Sequence, residues 1–247
     1  MSPDLAELRP IGFFAGLNDE GLHELLAEAQ KRRVEKDAVI FREGGAASAV
    51  HVLTEGFAKL VQTTPNGTRV IVRYVGPGEP FGTPALLGAG RYPVDALAVT
   101  DGIELQWPAR VIGAMLRKYP ELALNAIAAL QERLREAESR LSELCNEPVE
   151  QRIALAVARL VRKIGQPVGQ LVEVPFPVTQ QDIADMTGST LHTVSRTLGA
   201  WQKLGLIERG RQHLAVADLP GLLAIAEAKH GGEGQPRRTH RRGFRRR

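Results

Sequence analysis

Residues 179–204 read TQQDIADMTGSTLHTVSRTLGAWQKL. Two short helical patterns flank a glycine. Thr179 stands where an N-cap is expected, and Asp182 takes the reciprocal place of a capping box, where Glu or Gln is more usual. Ile183, Ala184 and Met186 supply the buried side of the first helix. Gly188 permits the tight turn, because glycine enters a left-handed backbone without steric cost. Thr190 can cap the second helix. There Leu191, Val194, Leu198 and Trp201 fall on one face, and His192, Ser195, Arg196 and Gly199 on the other. Such a pair is a helix-turn-helix, which reads double-stranded DNA from the major groove. A buried helical hairpin is the bland alternative. The polar string His192-Thr193-Val194-Ser195-Arg196 on an otherwise core-facing helix tells against it.

From Met186 to Ile207 there is no acidic residue, so phosphate meets no repulsion. Arg196 is the best base reader, since its planar fork matches O6 and N7 of guanine. Ser195 is short enough for a base edge or a thymine methyl, and His192 completes the reading face. Leu206–Val216 predicts a two-stranded wing turning at Gly210. Thr190, Lys203, Arg209 and Arg211 are candidate phosphate contacts.

Upstream, Asn146-Glu147-Pro148 breaks a helix. Residues 149–164 are helix-periodic (Ile153, Leu155, Ala156, Leu160, Ile164), Gly165–Gly169 is a turn, and Leu171–Phe176 alternates as a strand. Between about 119 and 145, Ile127, Leu130, Leu134, Ala137, Leu141 and Leu144 are spaced 3, 4, 3, 4, 3. That is a heptad seam, narrow and flanked by charge, and it predicts a parallel dimer of identical chains. Arg133 and Glu138 occupy the g and following e positions, placed to pair across it. A long helix lying on its own domain is the alternative.

From about 33 to 108 short apolar runs alternate with turns: Val39-Ile40-Phe41, Val50–Leu53, Phe57–Val61, Val70–Val75 and Ala96–Leu105. Glu43-Gly44-Gly45, Pro65-Asn66-Gly67, Gly76-Pro77-Gly78 and Asp101-Gly102 mark the turns, a β-roll or barrel pattern. Residues 1–30 read as helical, with Leu17, Leu22, Leu25 and Leu26 on one face and Asn18 as N-cap. The fold class is α+β: β-roll domain 1–118, dimerisation helix 119–146, winged helix-turn-helix 147–230, tail 231–247.

Composition bounds the function. The chain has 247 residues, room for two small domains, with 43% hydrophobic, 24% charged and only 5% aromatic residues. Few aromatics argue against a single-strand reader built on stacking. The one cysteine, Cys145, excludes an internal disulfide and a four-cysteine iron–sulfur or zinc site. No apolar run approaches a membrane span and no secretory signal opens the chain, so the expected compartment is the cytoplasm. The net charge of +4 hides an uneven split: residues 231–247 hold seven arginines and one acid, and the remainder is −2. The tail GGEGQPRRTHRRGFRRR is predicted to be disordered, a solvated end or a non-specific phosphate clamp.

Residues 8–226 resemble the CRP/FNR family, named for the cyclic AMP receptor protein and the fumarate–nitrate regulator. Phe13-Phe14-Ala15-Gly16-Leu17 is similar to the family's opening. Phe41-Arg42-Glu43-Gly44 and Leu53-Thr54-Glu55-Gly56 match its roll turns, and Val194-Ser195-Arg196 its base-reading Ser-Arg. The string Leu-His-Thr-Val-Ser-Arg also looks similar to regulators of nitrogen-oxide respiration. The resemblance implies a β-roll sensor, a dimer helix, a winged helix-turn-helix, contact with RNA polymerase, and a half-site with a TTG-like core. His192 replaces the family's glutamate, which leaves the next base open. Thr179, Gln180 and Gln181 sit where family members grip phosphate.

In cyclic-nucleotide members a Gly-Glu pair and an Arg-Ser pair hold the ligand. Here Gly78-Glu79 is kept, Tyr92-Pro93 replaces Arg-Ser, and Arg91 lies one residue early. Proline lacks the N–H a phosphate cradle uses, which argues against a cyclic nucleotide. These five residues are the candidate effector pocket for an unidentified small molecule. A haem would need an axial ligand, and His23 and His51 are the only sensor candidates, each read first as a half-exposed histidine. Activity without an effector, or a ligand-binding module acting through protein contacts with little specific DNA binding, are the alternatives. No nucleophile–base pair or complete phosphate loop is present, so an enzyme is not expected.

Overall fold

Short alternating runs pair into two antiparallel four-stranded sheets in the computed structural model, which describes residues 5–87, 90–210 and 213–227. The helices α1 (Leu5–Leu8) and α2 (Asp19–Glu28) precede β1 (Gln30–Val34), β2 (Val39–Phe41), β3 (Ala49–Glu55) and β4 (Ala58–Thr63). Next come β5 (Arg69–Val75), β6 (Pro80–Phe81), β7 (Asp95–Ala98) and β8 (Gly102–Pro108). Strand orders are β1-β8-β3-β6 and β2-β7-β4-β5, the two layers of the roll.

Several sequence expectations change here. The first thirty residues are not one helix: a 3-10 turn at Gly12–Phe14 intervenes, and Asn18 caps α2 by accepting from Gly21 N at 2.9 Å. The strand β1, Gln-Lys-Arg-Arg-Val, has no apolar alternation and forms because β8 pairs with it from Gln30↔Gln106 to Val34↔Gly102. Its charges suit an edge strand, where they discourage further pairing. The run Ala96–Leu105 divides into β7 and β8 at the Asp101-Gly102 turn.

The roll closes on a core that includes Phe14, Phe81, Leu105 and Trp107, and Trp107 Nε1 donates to Leu25 O at 2.7 Å. After α3 (Ala109–Lys118), α4 (Pro120–Asn146) runs 27 residues. Leu122 and Ala126 tie its start to the roll core. The seam beyond stays uncovered within the chain: Ile127, Leu130, Leu134, Leu141 and Leu144 are 43–63% exposed, and Ala137 is exposed too. Arg133 corrects the expected g–e pairing. It turns back to the roll, donating to Thr83 Oγ1 at 2.9 Å and to Pro80 O, and is not free to meet Glu138 of another chain.

The C-terminal unit holds α5 (Val149–Ile164), β9 (Gln166–Val168), β10 (Leu171–Glu173), α6 (Gln180–Thr187) and α7 (Leu191–Lys203). It ends with β11 (Ile207–Gly210), β12 (His213–Val216) and α8 (Leu219–Ala226). Its sheet order is β11-β12-β10-β9. The expected turn at 165–169 thus contains β9, and the strand expected over 171–176 stops at Glu173 before Pro175.

The second core is shared. Val61, Ile71, Tyr74 and Val99 of the roll join Ile153, Val157, Ile183, Leu198 and Trp201 in one cluster. Phe176 lies 4.9 Å from the Phe57 ring and 5.2 Å from Tyr74. Two ion pairs cross the same boundary, Lys59–Asp182 at 2.7 Å and Lys163–Glu79 at 3.0 Å. Among the described residues no helix is long and apolar enough to cross a membrane.

Candidate functional site

The helix pair is built by its caps. Thr179 Oγ1 accepts from Asp182 N at 3.0 Å, and Thr179 N donates to Asp182 Oδ2 at 2.9 Å, so Asp182 does serve as the reciprocal cap. Thr179 Oγ1 also donates to Asp182 Oδ2 at 2.6 Å, which commits both Thr179 donors internally. Burial pushes the Asp182 carboxyl up, but bonds from Lys59 and Thr179 together outweigh it and hold the group below its ordinary range. Gly188 closes α6 at φ 61°, and Ser189 N returns to Ala184 O at 3.1 Å. Thr190 then caps α7, accepting from Thr193 N at 3.2 Å.

On α7 the two faces separate by 3.6-residue periodicity. Val194, Leu198 and Trp201 are buried, and Trp201 Nε1 donates to Glu150 Oε1 at 3.2 Å. Leu191, expected on that face, is instead 49% exposed at the first turn. It borders a groove of about 340 Å³ with Thr179, Gln180, Gln181, Arg209 and His213. That groove brings the N-terminus of α6, the start of α7 and the wing to one surface. On the outer face of α7, His192 and Arg196 are exposed and Ser195 is half-buried. Among the described residues nothing hydrogen-bonds to or pairs with the side chains of Arg196, His192 or Lys203.

The remaining candidate contacts divide. Gln181 Nε2 donates to Asp185 Oδ1 at 2.6 Å. Arg209 folds onto α7: its Nε donates to Gln202 Oε1 at 2.8 Å, and its guanidinium lies against Gly199. Arg211 and the arginine tail lie outside the described residues.

The five sensor candidates do not form one pocket. Tyr92 is in the roll core, stacked on Phe41 at 3.9 Å, with its hydroxyl donating to Ala49 O at 2.9 Å. Arg91 and Pro93 are exposed, and Arg91 reaches Gly44 O. Glu79, beside Gly78, faces the opposite way, toward Arg73 at 2.9 Å and Lys163. His51 is buried, not half-exposed, with Nδ1 against Glu104 and Nε2 3.1 Å from the Tyr92 hydroxyl. Both ring nitrogens are occupied, which leaves none for a haem iron, while His23 is exposed on α2. Sequence reasoning missed the cleft between roll and C-terminal unit, because its residues come from elements more than a hundred positions apart, Ile71 on β5 and Met186 on α6. The basic run on α5 was the one signal that could have found it.

Comparison with known proteins follows this division of the chain. Residues 31–119 match the family described as cyclic nucleotide-binding domain, and residues 151–225 the Crp-like helix-turn-helix domain. The chain is 31% identical over 215 residues to the cyclic AMP receptor protein of Thermus thermophilus, covering 87% of this chain and 92% of that one. It is 23% identical to the fumarate and nitrate reduction regulatory protein of Salmonella typhimurium, over 80% of this chain and 78% of that one. The solved structure of FixK2 from Bradyrhizobium japonicum shares the fold, with a TM-score of 0.72 at 23% identity over 81% of this chain and 98% of that one.

Proposed function

Because this chain belongs to the CRP/FNR family, DNA-binding transcription regulators and not enzymes, whose output is controlled through a cyclic-nucleotide-binding-like domain, we propose that it acts as a homodimer on a palindromic site. The exposed α4 seam joins two copies in parallel, and the two α7 helices enter successive major grooves about ten base pairs apart. Arg196 reads the guanine of a TTG-like half-site, Ser195 and His192 contact neighbouring base edges, and Gln180, Gln181, Thr190, Lys203 and the wing cations hold phosphate. Thr179, with both donors committed to Asp182, orients this edge and leaves the free N–H groups of α6 to the phosphate. The bound dimer meets RNA polymerase in the cytoplasm.

The observation that carries this reading is the outer face of α7, where Arg196 stands exposed and unpaired while Val194, Leu198 and Trp201 lock the other side. Selection from a pool of randomised duplexes, followed by light scattering on the bound species, tests it. The expected outcome is an inverted repeat with TTG-like halves, bound by two chains. A single half-site bound by one chain, or no enriched sequence, overturns it.

A further inference from the structure

Between β5, α4 and α5 lies a cleft used by neither the DNA-reading face nor the roll interior. Two adjoining cavities of about 450 Å³ and 370 Å³ share Ile71, Arg73, Arg133, Glu136, Arg140, Arg159 and Met186 as walls, and the smaller one is also bordered by Ala137, Leu141 and Leu144 of the α4 seam, so that a second copy would form part of its rim. Seven cationic side chains border the pair against four carboxylates. Each of the three structural parts contributes: Arg73 from the roll, Arg133 and Arg140 from α4, and Arg159 and Lys163 from α5.

The cations are incompletely satisfied. Arg73 has Glu79 at 2.9 Å, Arg159 has Glu143 at 2.5 Å and Lys163 has Glu79 at 3.0 Å, whereas Arg133 hydrogen-bonds only to neutral groups, Thr83 and the Pro80 carbonyl. Arg140 reaches the Val72 carbonyl, and its enclosed Nε has no partner among the described residues. Burial lowers the proton affinity of all three, and neighbouring guanidinium groups lower it further for Arg133, to about 10, and for Arg140; together these effects outweigh the nearby carboxylates Glu79, Glu136 and Glu143, which raise it. Buried positive charge without a matching carboxylate is costly, and an anion placed there removes the cost. The rest of the wall is apolar, with Tyr74 and Leu160 beside the shared Ile71 and Met186.

We propose that this cleft binds a small organic oxyanion, an apolar body ending in a carboxylate or phosphate, as the effector of the regulator. The proposal rests on the reading that the sensor governs the DNA-binding unit. It places the ligand away from Arg91, Tyr92 and Pro93, in a position that touches roll, long helix and DNA-binding unit at once. Occupancy therefore changes how firmly the two units are held together.

The test is fluorescence titration of the full chain with 1-naphthyl phosphate and with 1-naphthylacetate. Inorganic phosphate and 1-naphthol serve as half-probes. One naphthyl anion is expected to bind saturably, once per chain, at least about tenfold more tightly than either half-probe. Arg140→Gln and, independently, Arg159→Gln weaken it by about tenfold to a hundredfold while far-UV dichroism stays unchanged. Which anion binds better identifies the head group. No saturable binding below about 10 mM, affinity unaltered in both variants, or a half-probe that binds equally well overturns the proposal. Selected-duplex binding is measured on the same preparations. A chain that binds its duplex but no anion refutes the cleft alone, and one that binds the anion but no duplex refutes the DNA reading.

Discussion

Replacing Arg196 by alanine separates base reading from mere charge. The side chain is exposed and unpartnered among the described residues, so its truncation opens no cavity and leaves no buried group unpaired. Fold stability should therefore move by no more than about 0.5 kcal/mol. A bidentate contact to guanine supplies about 1–3 kcal/mol of discrimination, and a symmetric dimer makes it twice. Preference for the selected duplex over a scrambled one should thus fall by roughly 30-fold to 10⁴-fold. If Arg196 only touched phosphate, both duplexes would weaken alike, and the log–log salt slope would shrink by about 1.8 for two lost contacts. Fluorescence anisotropy on both duplexes across a salt series measures the two quantities together. An unchanged preference, or equal weakening with that loss of slope, refutes the assignment.

Three further outcomes follow from the geometry. Leu134→Asp places charge in the proposed seam, and removing two leucines from a shared interface costs about 3–6 kcal/mol, so light scattering should show monomers at micromolar concentration. Trp201→Ala empties the centre of the second core, and denaturant titration should report a loss of about 3–5 kcal/mol. The Asp182 carboxyl lies below its ordinary value of 3.8 in the folded chain, so its contribution is full above that pH and fades as pH falls through the lowered one. Acid titration of stability should therefore be shallower in Lys59→Met, which removes the interdomain partner and leaves the Thr179 cap in place.

What the sequence disclosed was local. The helix over 149–164 stands at those limits because Pro148 opens it and Gly165 ends it. The reciprocal bonds of Thr179 and Asp182 follow from spacing alone. Elements decided by a distant partner stayed hidden. The polar β1 exists only through β8, and Leu191 escapes burial because the first turn of α7 faces the groove. Arg133 has the heptad position of an interchain partner, yet it is held by the Pro80 carbonyl and Thr83 of its own roll. The same limit affected Gly78-Glu79, whose likeness to a ligand-binding pair gave no hint that Glu79 would face Lys163.

The apolar cluster around Phe176 has a practical corollary for dissecting this molecule. Cutting the chain at Pro148 would leave Phe57, Ile71 and Tyr74 facing water on one fragment, and Phe176 and its neighbours on the other. Each half would then carry a sticky scar where its sibling once lay, and such surfaces self-associate. The two units are thus joint custodians of each other's solubility, and fragment studies report the wound as much as the domain.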